Sequence, residues 1–152
     1  RAPVSQHGLM PGIRKLLSRF RKETGTEAVL QNQAHDVELG ADEENQVLRI
    51  VQEALTNARK HSQANMVRVL LSQDNAGRFR VIIEDDGTGF TPGAEDRDTD
   101  HHFGLAIMHE RAEAVGATLG VESEPGEGTR VIVELALKDT VADELKVKAG
   151  TL

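Results

Sequence analysis

A chain of 152 residues with 38% hydrophobic content is long enough for one domain with a real core and too short for two comfortable ones. Its formal charge of -7 argues against a nucleic-acid surface, which needs a basic patch that neither half of the chain supplies. The absence of cysteine removes disulfides, thiol nucleophiles and thiolate metal sites, and suits a reducing cytosolic setting. No run approaches the roughly 20 apolar residues of a membrane span, and the opening Arg1-Ala2-Pro3 is no signal peptide, so the polypeptide is expected to be soluble, in the manner of an excised piece.

In chain order, Leu9, Ile13, Leu16, Leu17 and Phe20 recur at helical spacing and predict a helix near 10–24, stopped at Thr24-Gly25. The basic residues between Arg14 and Lys22 fall on its exposed side. Residues 27–35 alternate loosely, as a strand does. Gly40-Ala41-Asp42-Glu43 then leads into a second helix, with Asp42 the expected N-cap.

That second helix carries two stripes. Val47, Leu48, Ile50, Val51, Ala54, Leu55 and Ala58 gather on one side as a core stripe. Projecting the remaining residues at about 100° each places Glu53, Asn57, Lys60 and His61 together along its border. A carboxylate and an amide offer the hard oxygens that magnesium takes, and the two possible cations suit phosphate oxygens. The same row also reads as a solvated flank with an Asn tucked in.

Residues 66–72 and 79–84 are β-rich runs separated by Asp74-Asn75-Ala76-Gly77, which predicts two neighbouring antiparallel strands. The second runs into Asp85-x-Gly87-x-Gly89. A carboxylate at a strand end followed by alternating glycines lets backbone approach a planar ligand while the acid accepts from an amino group such as adenine's. A plain hairpin turn explains the same residues. From Thr91 to Asp100 the chain is too charged to pack and reads as an exposed loop. A helix is expected over 104–115, with Gly104 at its opening, where free N–H groups favour an anion. Strands over 117–122 and 129–137 flank the turn Glu124-Pro125-Gly126-Glu127-Gly128. From Lys138 onward the chain is charged and aperiodic and is expected to be a frayed tail, leaving 1–137 as the domain.

The order of these features carries more than any one of them. The acid-and-amide helix, the Asp-x-Gly-x-Gly strand end, the Gly-opened helix and the closing Gly126-x-Gly128-Thr129 stand in the order used by the histidine-kinase, gyrase, MutL and heat-shock chaperone ATPase superfamily. This resemblance spans about residues 9–137. QEALTNARKHSQA, DDGTGF and FGLAIMHERA resemble sensor kinases that pair with regulators of the nitrate-response type. HHFGLAIMHERA with RKLLSRFRKETG is similar to the nitrate/nitrite sensor kinases.

The resemblance implies a Bergerat-type ATPase fold, an α/β two-layer sandwich with helices on one face of a mixed sheet. It implies that Asn57 ligates magnesium, that Glu53 holds or activates the metal-bound shell, and that Lys60 and His61 address the phosphates of ATP. Asp85 would accept from the adenine amino group, Gly87 and Gly89 would admit the purine, and Thr129, after Gly128, would bond near the base. Gly104 and Leu105 would begin the helix beneath the phosphates. The segment from Thr91 to Phe103 would be a lid.

The function so implied is donation of the γ-phosphoryl group to a histidine on a separate dimerisation domain, with a cognate response regulator downstream. The full-length protein would be anchored in the bacterial inner membrane with this domain in the cytoplasm, and the isolated chain would be a monomer. Two other readings stand beside it: a nucleotide-gated interaction module without chemistry, and an ATP hydrolase of the gyrase or chaperone sort. None of His7, His61, His101, His102 and His109 has the surroundings of an acceptor histidine. His109-Glu110 begins like a zinc-protease motif, but Glu113 stands where its second histidine belongs. No Walker-type loop and no Gly-x-Ser-x-Gly elbow occurs.

Overall fold

A computed structural model describes residues 8–34, 37–91 and 99–137. Helix α1 (Leu9–Thr24) is followed by strand β1 (Glu27–Asn32), helix α2 (Ala41–Asn57), strands β2 (Met66–Gln73) and β3 (Arg78–Asp85), helix α3 (Thr99–Ala114), and strands β4 (Thr118–Ser123) and β5 (Thr129–Ala136). The five strands form one sheet in the order β1-β2-β3-β5-β4. β1 runs parallel to β2, and every other neighbouring pair is antiparallel. The three helices cover one face, giving the expected two-layer sandwich with a mixed sheet.

One covered face explains the strand sequences, because side chains alternate between core and solvent along a strand. Val67, Val69 and Leu71, then Phe79, Val81 and Ile83, then Val131, Val133 and Leu135 are all buried toward the helices. α1 contributes Ile13, Leu17 and Phe20, and α2 contributes Val47, Ile50, Val51, Ala54 and Leu55. α3 is anchored by Met108 and Ala112. Complete burial of a side chain such as Met108 contributes about 1.5–3 kcal/mol.

The other face carries two charged rows, with Leu70, Ile82 and Ile132 in register between them and Ile82 buried. Arg68 pairs with Glu84 at 3.0 Å, Glu84 with Arg130 at 3.3 Å and Arg130 with Glu122 at 3.3 Å, a charged row crossing four strands. Arg78 and Arg80 converge on Glu134 in a second row. Exposed pairs of this kind contribute at most about 1 kcal/mol each. Opposite charges placed directly across from each other favour this strand register, since like charges there would repel.

Some helix ends fall where the sequence predicts and others do not. α1 stops where predicted, at Gly25 in a left-handed conformation (φ 70°), with its N–H donating to the Arg21 carbonyl at 2.8 Å. α2 begins at Ala41, so Asp42 is not its N-cap. Gly40 holds that position and donates its N–H to Glu43 Oε1 at 2.9 Å, leaving Asp42 in the first turn beside the helix dipole. After Asn57 the helix widens into a π-turn over Ala58–Ser62. β1 ends at Asn32 rather than 35.

α3 begins at Thr99, not at 104. Gly104 therefore lies in the second turn, its N–H is not among the four free donors, and the expected anion site at a glycine-opened helix start is not formed. His101 and His102 belong to the helix instead of preceding it. The expected tail from Lys138, most of the expected lid, and His7 lie outside the described residues.

Candidate functional site

The C-terminal half of α2 and the strand ends of β3 and β5 enclose a cavity of about 230 Å³. This is below the usual 300–1,000 Å³ of pockets that swallow a whole drug-sized ligand, and it suits one planar fragment of a larger molecule. Its walls are apolar: Ala54 and Ala58 from α2 and its π-turn, Val67, Ile83 and Val131 from the sheet, and Leu105 from α3. Asp85 and Thr129, directly opposite each other in the β3–β5 register, supply polar groups at the strand ends. Asn57 and His61 supply them from the helix.

Asp85 is held by its own turn. Its Oδ1 accepts the Gly87 N–H at 2.9 Å, so the carboxylate reaches the cavity from a fixed strand end. Burial raises its pKa above the ordinary aspartate value, and neighbouring Asp86 pushes the same way. The N–H groups of Gly87 and Thr129 oppose the shift without cancelling it. A half-buried carboxylate with a raised pKa is poised for a donor that would favour its charged form. Asp86 acts on the backbone instead. Its Oδ1 accepts the N–H groups of Asn65 at 2.8 Å and Met66 at 2.9 Å, tying the chain after the π-turn to the Asp-x-Gly-x-Gly loop.

The glycines act by close approach. Gly89 has φ 64°, and a Cβ there would overlap the Glu124 carbonyl and stand 2.9 Å from that of Gly128. Gly128 has φ 78° and is packed against the Asp85 carbonyl. The two glycine turns, far apart in sequence, thus lock together beside the cavity, with the Gly126 N–H donating to the Thr88 carbonyl at 2.6 Å.

At the helix side, Gly104 of α3 abuts α2 where Glu53 and Asn57 stand one turn apart. A Cβ on Gly104 would lie 2.7 Å from Glu53 Oε1 and 3.1 Å from Asn57 Oδ1. Glu53 Oε1 and the end of the Asn57 amide, with its Oδ1 at 3.1 Å and its Nδ2 at 3.3 Å, therefore face the same point. Two hard oxygens fit magnesium, which commonly takes one or two protein ligands and completes its shell with water and phosphate.

Of the residues singled out in the sequence, Asn57, His61, Asp85, Gly89, Leu105 and Thr129 line the cavity. Glu53, Gly104 and Gly128 adjoin it through the contacts above, and Gly87 holds Asp85. Lys60 does not line it. It is exposed on the π-turn, whose smaller rotation per residue carries it away from the Asn57 border where the 100° projection placed it. Sequence reasoning missed Phe90, which follows Gly89 into the lining, and Ser123, whose hydroxyl accepts the Phe90 N–H at 2.9 Å and donates to the Gly128 carbonyl at 2.8 Å. Only the position of Ser123 at a strand end, before a Gly-x-Gly turn, could have signalled it.

The sequence profile of the histidine kinase-, DNA gyrase B- and HSP90-like ATPases matches residues 42–139, and the chain belongs to that family. An uncharacterised sensor-like histidine kinase of Chloroflexus aurantiacus is 36% identical over 134 residues, covering 86% of this chain and 22% of the relative. The nitrate/nitrite sensor protein NarQ of Escherichia coli is 32% identical over 133 residues, covering 88% and 23%. The chain thus spans less than a quarter of the length of these two relatives. Among solved structures, full-length ShkA in complex with AMPPNP superposes with a TM-score of 0.71 at 29% identity, covering 90% of this chain and 31% of that one.

Proposed function

We propose that this domain binds Mg-ATP and presents its γ-phosphoryl group to a histidine on a dimerisation domain of the same two-component kinase. The observation that carries the reading is the two-ended cavity. Asp85 and Thr129 stand at the strand ends, and Asn57, beside Glu53, stands on the helix, with apolar walls between them the size of a base. The adenine amino group would donate to Asp85, and the ring would lie between Ala58, Ile83 and Val131. The triphosphate would leave toward α2, where His61 lines the exit and Lys60 can swing in from the surface. The complex of ShkA with AMPPNP supports this use of the fold.

Asn57 and Glu53 would hold the magnesium, which, when bound, neutralises phosphate charge. The protein's share of the work is positioning, because phosphoryl transfer depends on holding donor and acceptor in line. Glu53 would keep its carboxylate beside Asn57, where it can orient the metal's shell or the incoming imidazole.

The whole protein is proposed to be a membrane-anchored sensor kinase for nitrate or nitrite, acting on a regulator of the nitrate-response type. The wording of residues 101–112 and the likeness to NarQ support this. No helix among the described residues is long and apolar enough to cross a membrane, so any anchor belongs to other segments.

The test of the core proposal is transfer of label. Incubated with radiolabelled ATP and magnesium, the chain alone should stay unlabelled, and an added helical domain from the same kinase should gain acid-labile phosphate. Acid-labile phosphate on this chain alone, lost on replacing any one of its histidines, would overturn the reading. Nitrate-dependent labelling in the full-length protein would test the signal separately.

A further inference from the structure

Ser123 closes β4 directly opposite Thr129, the first residue of β5. Its hydroxyl is within hydrogen-bonding distance of three groups at once: the N–H of Phe90 at 2.9 Å, the carbonyl of Gly128 at 2.8 Å and the hydroxyl of Thr129 at 3.0 Å. A hydroxyl has one proton and two acceptor lone pairs. The amide of Phe90 can only donate and the carbonyl of Gly128 can only accept, so the one proton of Ser123 goes to Gly128. The contact with Thr129 is then a hydrogen bond only if Thr129 is the donor.

The consequence falls on the cavity. Thr129 lines it, and with its proton held by Ser123 it can offer a ligand lone pairs alone. Asp85, paired with it across the strands, offers carboxylate oxygens. Neither of the two facing polar groups at the strand ends donates.

We infer that Ser123, which does not itself line the cavity, is a specificity-positioning residue. By holding the Thr129 proton it makes the base end of the site acceptor-only, and so selects a purine with an amino group at position 6 over one with a carbonyl there. The inference rests on the reading of the cavity as a nucleotide-base site. Removing the Ser123 hydroxyl releases the Thr129 hydroxyl to turn and donate, which lets it satisfy a carbonyl oxygen that the wild-type site leaves facing lone pairs.

The experiment measures Mg-ATP and Mg-ITP binding by calorimetry, since inosine carries a carbonyl, and the N1 proton that accompanies it, in place of the 6-amino donor. Wild type should favour ATP. Ser123→Ala should lower that preference about tenfold, equivalent to about 1.4 kcal/mol, with ITP gaining relative to ATP. Thr129→Val should also lower it, and adding Ser123→Ala to Thr129→Val should change the ratio no further, because the choice between amino and carbonyl passes through the Thr129 hydroxyl, while the contacts of Ser123 with Phe90 and Gly128 bear on both nucleotides alike. If Ser123→Ala does not fold, Ser123→Cys keeps the size with a weak donor and is read by the same ratio. A Ser123 variant that weakens both nucleotides by one factor, or that shifts the ratio equally in the Thr129→Val background, overturns the inference alone. Wild type binding neither nucleotide overturns the base-site reading and this inference with it.

Discussion

Gly128 is packed against the backbone of Asp85 so closely that a Cβ on it would overlap the Asp85 carbonyl oxygen and stand 3.2 Å from the Asp86 Cα. The neighbour is backbone, so it cannot swing aside. Gly126, two residues earlier, shares the left-handed conformation (φ 84° against 78°) but has open space where its Cβ would be. The pair separates conformational cost from overlap. Gly126→Ala should cost about 1–2 kcal/mol, the usual penalty of a left-handed Ala. Gly128→Ala should cost clearly more and move the Asp85 strand end, so nucleotide binding should fall with it. Equal melting temperatures for the two variants would refute the close approach.

Gly104→Ala should have the opposite signature. Gly104 lies inside α3, where Ala is favoured over Gly by up to about 1 kcal/mol. The atoms its Cβ would meet are the ends of Glu53 and Asn57, which can yield by rotating away. The fold should keep or slightly gain stability, while magnesium-dependent nucleotide binding falls at least about tenfold, a loss of roughly 1.4 kcal/mol. Thermal denaturation and calorimetry on one sample decide it. A variant that binds as wild type would show that the two side chains need not face this point.

What can be read from the sequence follows from which forces are local. The strand alternation in β2, β3 and β5 is legible because one face of the sheet is covered and the other solvated, so Val67, Val69 and Leu71 announce their side. The end of α1 is legible because Gly25 takes a conformation that disfavours other residues. The first five residues of α3 are not, because Thr99-Asp-His-His-Phe103 has no apolar spacing and Phe103 is exposed. Alternation carries no strand direction, so the parallel pairing of β1 with β2 cannot be seen. The cap of α2 is misleading in sequence because the donor is a backbone N–H and the acceptor a glutamate three residues on. The acid, the amide and the glycines of the site are legible as residue types in order. Ser123 is not, because its role exists only where three segments meet.

Asp85 should make both stability and binding depend on pH, in opposite senses. Burial raises its folded pKa above the unfolded value, so ionising it is harder in the folded chain. The neutral form is the stabilised one: its contribution is full below the unfolded pKa and is lost as pH rises through the raised folded value. Asp85→Asn does not titrate, so its melting temperature relative to wild type should rise across the acidic range and level off above it. ATP affinity should run the other way. It needs the carboxylate as acceptor, so wild type should lose it as pH falls through the raised pKa, and Asp85→Asn should be weaker by about 1–3 kcal/mol at neutral pH without that dependence. The variant should also blunt a preference for ATP over GTP. Parallel pH profiles for wild type and variant would remove Asp85 from the base site.

Asn57 is expected to act through the metal. Its side chain lines the cavity and its Oδ1 stands with Glu53 Oε1 near Gly104, so deleting it removes one of two hard oxygens while leaving the apolar walls untouched. Asn57→Ala should therefore abolish the magnesium dependence of ATP binding and leave a weak, metal-independent affinity from the base site. Asn57→Asp keeps the size and adds a charge, which should hold magnesium but disfavour the nearby phosphates, so ATP should weaken more than magnesium-free adenosine does. Titrations of ATP with and without magnesium, beside adenosine as the phosphate-free control, distinguish the two variants. If Asn57→Ala binds Mg-ATP as wild type does, the metal is held elsewhere and the assignment of Asn57 and Glu53 fails, while the Asp85 predictions stand.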